Sequence, residues 1–425
     1  IDYLKGPRKR ILFFIEYIDC NKHKLDLMKV GIIISLTQDY ESMWINGIKL
    51  NALNLSKMLN QIVGLEVYIL DAGSIVSDLT KVSWDHTKYK VAKFTDMQHD
   101  VDLVFMLGAS LPDSRISIMR DKNPNLKIIK YQCGNSYVVD MERTLFKTFK
   151  EGELPSWDSD HDETWVIPQQ EYQNLEYYKT IYRHDDSQVK VVPFIWDPEP
   201  LEEHDKLLIK AGRSTPKYIP KPRKEKRLSV MEPNLNVFKY SMIPIMIAEN
   251  VFREYGNDAF DKIQIGSGKK LLNNSYYMGM IKHLDLVKSN NDKIKYVSRY
   301  PISTFLADGT DIVVSHQWEN PLNYAYLDAM YYEYPIVHNA EMVQDGGYYY
   351  KDFNISDGAE QLKFALNEHD KNIEEYRAKN KPVLERYTST NPGIVDTYRK
   401  LIDNVFNKDT HKMSYEYNWK TNLYK

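Results

Sequence analysis

The sequence predicts an α/β fold built as two similar halves that face each other across a cleft. The chain has 425 residues, more than a single hydrophobic core ordinarily serves. Short β-branched runs alternate with stretches of helical apolar spacing, the pattern of a parallel sheet with crossover helices. The alternation stops at a Pro- and Lys-rich stretch and then begins again, which divides the chain in two.

In the first half, residues 30–36 read as a buried strand. Residues 47–62 read as a helix, with Ile48, Leu50, Leu53, Leu55, Met58 and Leu59 at helical spacing, and 65–70 as the strand that completes one right-handed crossover. Residues 101–107 and 126–131 are further strands, followed by the turns Gly108-Ala109-Ser110 and Gln132-Cys133-Gly134-Asn135. Residues 164–168 and 189–194 close this half. The second half opens with a strand at 227–231, a polar turn at 232–236 and a helix through Met242, Ile245, Met246, Ala248 and Val251. Strands at 263–265, 294–297 and 312–315 follow. The expected organisation is an N-terminal extension (1–27), a first domain (28–198), a basic Pro-rich linker (199–226), a second domain (227–406) and a C-terminal tail (407–425).

Composition narrows the class. A hydrophobic fraction of 43% beside 27% charged residues describes a packed globular chain, not a disordered one. The two cysteines, Cys20 and Cys133, have none of the Cys/His spacing of a zinc site, so a reducing compartment and no bound metal are expected. The apolar runs fall short of the roughly 20 residues that span a bilayer, and no membrane insertion is expected. Basic residues precede an apolar run in 1–27, but Glu16 and Asp19 interrupt the order a signal peptide needs, so a cytoplasmic location is expected, that of the host if the gene is carried by a phage. A net charge of -3 gives no protein-wide basic field for nucleic acid. A local one is present in Lys217, Lys221, Arg223, Lys224, Lys226 and Arg227.

The most informative segment is 310–339. A strand there ends in the polar loop His316-Gln317-Trp318-Glu319-Asn320, and a helix follows. Free N–H groups at a helix N-terminus accept phosphate charge, and a carboxylate about two turns on, Asp328, can take two hydrogen bonds from ribose hydroxyls. This order resembles the donor site of glycosyltransferases of the GT-B architecture, in which two Rossmann-like domains face across a cleft. Tyr334-Pro335-Ile336-Val337 resembles the helix, turn, Pro, strand step that comes next, and Gly346-Gly347 the glycine turn after it. The phrases "VMEPNLNVFK" and "SHQWENPLNY" resemble, more narrowly, an uncharacterised glycosyltransferase-like family of bacteria and phages.

The resemblance implies a nucleotide-sugar as co-substrate, UDP-sugars favoured, with no essential cofactor. It makes 28–198 the acceptor side and 227–406 the nucleotide-sugar side. Donor contacts are expected from His316, Asn320, Leu322, Asn323, Tyr324 and Asp328, from Lys239 as diphosphate counterion with Asn234 or Asn236, and from Asn46 and Gly47 in the glycine loop of the first half. The family separates its paired acids by seven residues, whereas eight lie between Glu319 and Asp328. Either Glu319 shifts by one or Asn320 takes its place facing the sugar. The loop where retaining members carry a histidine holds Cys133 and Asn135 here, so Glu319, Cys133 and Asn135 are the catalytic candidates. The loop at Tyr131-Gln132 resembles phage enzymes that glucosylate DNA bases. A 5-hydroxymethylpyrimidine of double-stranded phage DNA is therefore the expected acceptor, with a cell-surface glycan as the alternative. A non-catalytic nucleotide-sugar binder and a sugar-nucleotide epimerase are the rival classes.

Overall fold

The structure, a computed structural model, describes residues 27–37, 47–82, 84–147, 157, 160–288, 293–406 and 416–424. Residues 1–26 of the N-terminal extension, and Asn46, lie outside them. Two parallel sheets organise the described residues. The first contains β1 (Met28–Ile34), β2 (Leu65–Asp71), β3 (Lys90–Lys93), β4 (Leu103–Met106), β5 (Lys127–Gln132), β6 (Glu163–Val166) and β7 (Val189–Val191), ordered β3-β2-β1-β4-β5-β6-β7. The second contains β8 (Leu228–Val230), β9 (Ile263–Ile265), β10 (Ile294–Tyr296), β11 (Ile312–Val314), β12 (Ile336–His338) and β13 (Tyr348–Tyr349), ordered β10-β9-β8-β11-β12-β13.

Helices α1 (Gly47–Leu59), α2 (Phe94–Met97), α3 (Asp113–Lys122), α4 (Ser136–Phe146), α5 (Glu171–Tyr182) and α6 (Glu199–Lys210) precede the second sheet. Within it and beyond it run α7 (Met242–Tyr255), α8 (Ser275–Ile281), α9 (Asp285–Lys288), α10 (Ile302–Gly309), α11 (Tyr324–Tyr331), α12 (Ile355–Asn367), α13 (Ile373–Tyr387) and α14 (Pro392–Phe406). Both halves are Rossmann-like, as the alternating pattern predicts.

β1 shows why the pattern is legible. Val30 to Ile34 are all buried, because a central parallel strand is covered by helices on both faces and must be apolar on both. It pairs with β2 (Val30 opposite Val67) and β4 (Val30 opposite Leu103), and the sheet order reverses at β1 and β4. The second sheet reverses likewise between β8 and β11. Ligands of such sheets sit outside the strand C-termini at the reversal. The loop after β1 is pinned there by Asp71, whose carboxylate accepts from Leu36 N at 3.0 Å and Gly73 N at 2.9 Å.

The structure corrects the expected organisation in three places. The stretch 199–226 is not all linker, since α6 buries Leu201 and Leu208. The helix α14, expected in the second domain, packs on the first sheet: Tyr398 OH lies 2.8 Å from Tyr131 OH and donates to Pro193 O at 2.8 Å. Its Ile394, Leu401 and Ile402 join one apolar cluster with Ile32 and Leu55. The chain recrosses beside Trp196, whose N–H donates to Tyr387 O at 2.7 Å. Finally, the expected tail contains a hairpin, β14 (Tyr417–Asn418) with β15 (Leu423–Tyr424). It docks through Asn422, which bonds both the N–H and the C=O of Phe194. β3 also lacked a sequence signal, because Lys90 and Lys93 leave only Val91 and Ala92 to mark it.

Candidate functional site

A cleft of about 190 Å³ opens between the two domains, at the strand C-termini where both sheets reverse. The first domain contributes Gly47 and Leu50 of α1. The second contributes Glu232 after β8, Lys239, Gly266 and Ser267 after β9, Arg299 and Tyr300 after β10, Ser315 and Gln317 after β11, and Asn323, Tyr324 and Asp328 around α11.

Glu232 stands two residues beyond the end of β8 and is only 2% exposed. Its carboxylate accepts from Ser315 Oγ and, at 3.0 Å, from Gln317 Nε2; burial nevertheless pushes it up to about 7, since desolvation disfavours the charged form more than these bonds favour it. Lys239 is half-buried on the same wall. Burial lowers its ammonium pKa, and the Glu232 carboxylate beside it acts in the opposite direction. Arg299 stands close enough to Lys239 to depress it further, so two cations converge on one wall.

The turn between Glu232 and Lys239 is shaped by Asn234, which sits at φ 52°, a left-handed conformation that Asn tolerates. Its amide donates to Glu232 O at 3.0 Å and Gly266 O at 3.1 Å, and its Oδ1 accepts from Ser241 N at 2.9 Å. Asn234 is therefore spent on backbone and, unlike the expectation of a donor contact, does not line the cleft, and neither does Asn236.

After β11 the chain is clamped by Asn339, whose amide bonds both the N–H and the C=O of Gln317 at 2.9 Å. His316 points away from the cleft into Tyr350, with Nδ1 3.0 Å from its hydroxyl, and burial holds it down to about 4. Leu322 is fully buried in the core. Asn323 caps α11, its side chain accepting from Ala325 N at 3.0 Å, and Tyr324 OH donates to Ile195 O at 3.0 Å. Asp328, 5% exposed, accepts from Trp196 Nε1 at 2.8 Å, and burial pushes it up to about 7.

Of the residues expected to touch the donor, Gly47, Lys239, Asn323, Tyr324 and Asp328 line the cleft together. His316, Asn320 and Leu322 do not. The catalytic candidates stand outside the cleft lining. Glu319, at φ 49°, turns away and accepts from Gln173 Nε2 of α5, and Asn320 accepts from Gln170 Nε2 at 2.9 Å. Asn135 caps α4, accepting from Val138 N at 3.1 Å, and burial raises the Cys133 thiol far above its usual range. None of Glu319, Cys133 and Asn135 lines the cleft. Sequence reasoning missed Glu232, Arg299 and Gln317. Glu232 and Gln317 lay inside the quoted phrases without a role, while Arg299 follows a short strand in a stretch with no periodic signal.

A family profile matches residues 30–402. The chain belongs to that family, described as "Protein of unknown function (DUF2827)". No curated protein matches the DUF2827 chain. Solved structures do resemble it. A glycosyltransferase from Rickettsia africae aligns over 90% of this chain and 100% of its own, with a TM-score of 0.54 and 11% identity. HepE from Anabaena, solved with UDP-glucose, aligns over 88% and 100%, with a TM-score of 0.50 and 11% identity. The N-terminal domain of a Candida albicans trehalose-6-phosphate phosphatase aligns over 91% and 98%, with a TM-score of 0.54 and 11% identity. The fold is thus the GT-B architecture. Among the described residues of the DUF2827 chain, no helix is long and apolar enough to cross a membrane.

Proposed function

We propose that the protein transfers a glycosyl group from a nucleotide-sugar, a UDP-sugar by preference, to an acceptor hydroxyl. One observation carries this reading. Lys239 and Arg299, from different loops, converge in the interdomain cleft that also holds the Asn323-capped start of α11, while burial holds the acids of that cleft, Glu232 and Asp328, toward their neutral forms. Such a wall suits a diphosphate, whose charge the two cations and the helix N–H groups take up. In transfer, the same groups stabilise the charge that develops on the leaving diphosphate. Asp328 is the ribose residue in this reading, and Gly47 brings main chain close to the phosphates. The UDP-glucose bound by HepE, which shares the fold, supports the donor class.

The acceptor is a hydroxyl of a cell-surface glycan or of a 5-hydroxymethylpyrimidine in DNA. The glycan is favoured, because much of the basic stretch is committed internally: Lys221 and Arg227 pair with Asp311, and Lys226 with Asp370. A non-catalytic nucleotide-sugar binder is the second reading, favoured by Glu319 turning to Gln173 instead of the cleft.

A thermal-shift panel of UDP, GDP, ADP and CDP tests the donor site. UDP is expected to raise Tm, and failure of every nucleotide to do so defeats the reading. Incubation with UDP-glucose and either hydroxymethylated DNA or glycan acceptors follows. Binding without hydrolysis or transfer favours the binder.

A further inference from the structure

A buried line of amides crosses the domain interface and ends in the cleft. Gln170 of the first domain donates from Nε2 to Asn320 Oδ1 at 2.9 Å, Asn320 Nδ2 donates to Gln317 Oε1, and Gln317 Nε2 donates to Glu232 Oε2 at 3.0 Å. Ser315 Oγ donates to the other carboxylate oxygen. All five side chains are buried. The polarity of the line is fixed from one end. Gln317 turns its NH₂ toward Glu232, which leaves its carbonyl for the NH₂ of Asn320 and the carbonyl of Asn320 for Gln170. The Asn339 clamp on the Gln317 main chain holds the register.

A carboxylate offers roughly four lone-pair sites, and Ser315, Gln317 and the main-chain N–H of His316 stand against three of them. The carboxyl lines the cleft, where Lys239 and Arg299 already supply the groups that suit a diphosphate. A carboxyl group offers acceptor oxygens to hydroxyls, whereas phosphate oxygens are served by the cations. Resting on the nucleotide-sugar reading, we propose that Glu232 contacts hydroxyls of the transferred sugar. Gln170, Asn320 and Gln317 are the positioning residues that hold it, so the sugar side of the cleft takes its working shape only while the first domain is docked.

The test compares calorimetric affinities of UDP and a panel of UDP-hexoses for the full chain and the variants Glu232→Gln and Gln170→Leu. The wild-type protein is expected to bind at least one UDP-hexose more tightly than UDP. Both variants should erase that increment, about tenfold for one well-formed hydrogen bond, while UDP itself still binds. Gln170→Leu makes no contact with the cleft, so its selective effect separates positioning from direct contact, and it carries the test alone if Glu232→Gln does not fold. A Glu232→Gln protein that keeps the increment overturns the assignment. So does a Gln170→Leu protein that loses UDP and UDP-hexose equally, or a wild type that prefers no UDP-hexose to UDP. A wild type that binds none of UDP, GDP, ADP and CDP defeats the nucleotide-sugar reading itself, and one that binds another of these in place of UDP moves the same comparison to that nucleotide and its sugars.

Discussion

Asp328→Asn is expected to make the protein more stable at pH 8 while leaving it nearly unchanged at pH 4. Asp328 is 5% exposed, and burial carries its carboxyl from 3.8 to about 7. The folded state therefore holds a proton that the unfolded chain has released, and stability falls as pH rises from about 4 to about 7, then levels. At about 1.4 kcal/mol per pH unit, the wild type gives up at most about 4 kcal/mol across that window through this group. Asparagine keeps an acceptor for Trp196 Nε1 and does not ionise, so the variant should avoid the loss. Glu232, also raised to about 7, contributes a second fall with the same sign, which Asp328→Asn leaves in place and Glu232→Gln removes. Urea titrations followed by tryptophan fluorescence at pH 4.5, 6 and 8 measure both. If Asp328→Asn and wild type run parallel across the range, Asp328 is not ionising in a desolvated site and the reasoning fails.

Lys239→Met should weaken UDP binding by about 1.5–3 kcal/mol, roughly 10- to 100-fold by calorimetry, the worth of a hydrogen bond from a charged donor. Its unliganded Tm should hold or rise, since burial already opposes the ammonium. Trp196→Phe removes the 2.8 Å donor to Asp328 across the domain interface and should cost about 1–3 kcal/mol in urea unfolding. Asn135→Ala removes the cap of α4 and should cost about 1 kcal/mol, with UDP affinity unchanged. A large loss of UDP affinity in that variant would return Asn135 to the ligand site.

The sequence by itself determined the two Rossmann-like halves, because a central parallel strand such as Met28–Ile34 has to be apolar on both faces and its helices have to repeat at 3.6 residues. It also determined part of the cleft. Gly47, Lys239, Asn323 and Asp328 stand in the loops that follow strands or in the first two turns of the helices after them, positions that chain order brings toward the strand C-termini. Tertiary structure decided the rest. Glu319 and Asn320 sit in the same loop as Gln317, yet they face α5 because Gln173 and Gln170, about 150 residues earlier, meet them there. Asn135 is consumed by capping and by Asn174, and the final helix returns to the first sheet because Tyr131 and Pro193 offer its Tyr398 hydrogen-bond partners. Local order along the chain sets which residues reach a strand end; which way each side chain then turns depends on partners that only the folded chain brings within hydrogen-bond reach.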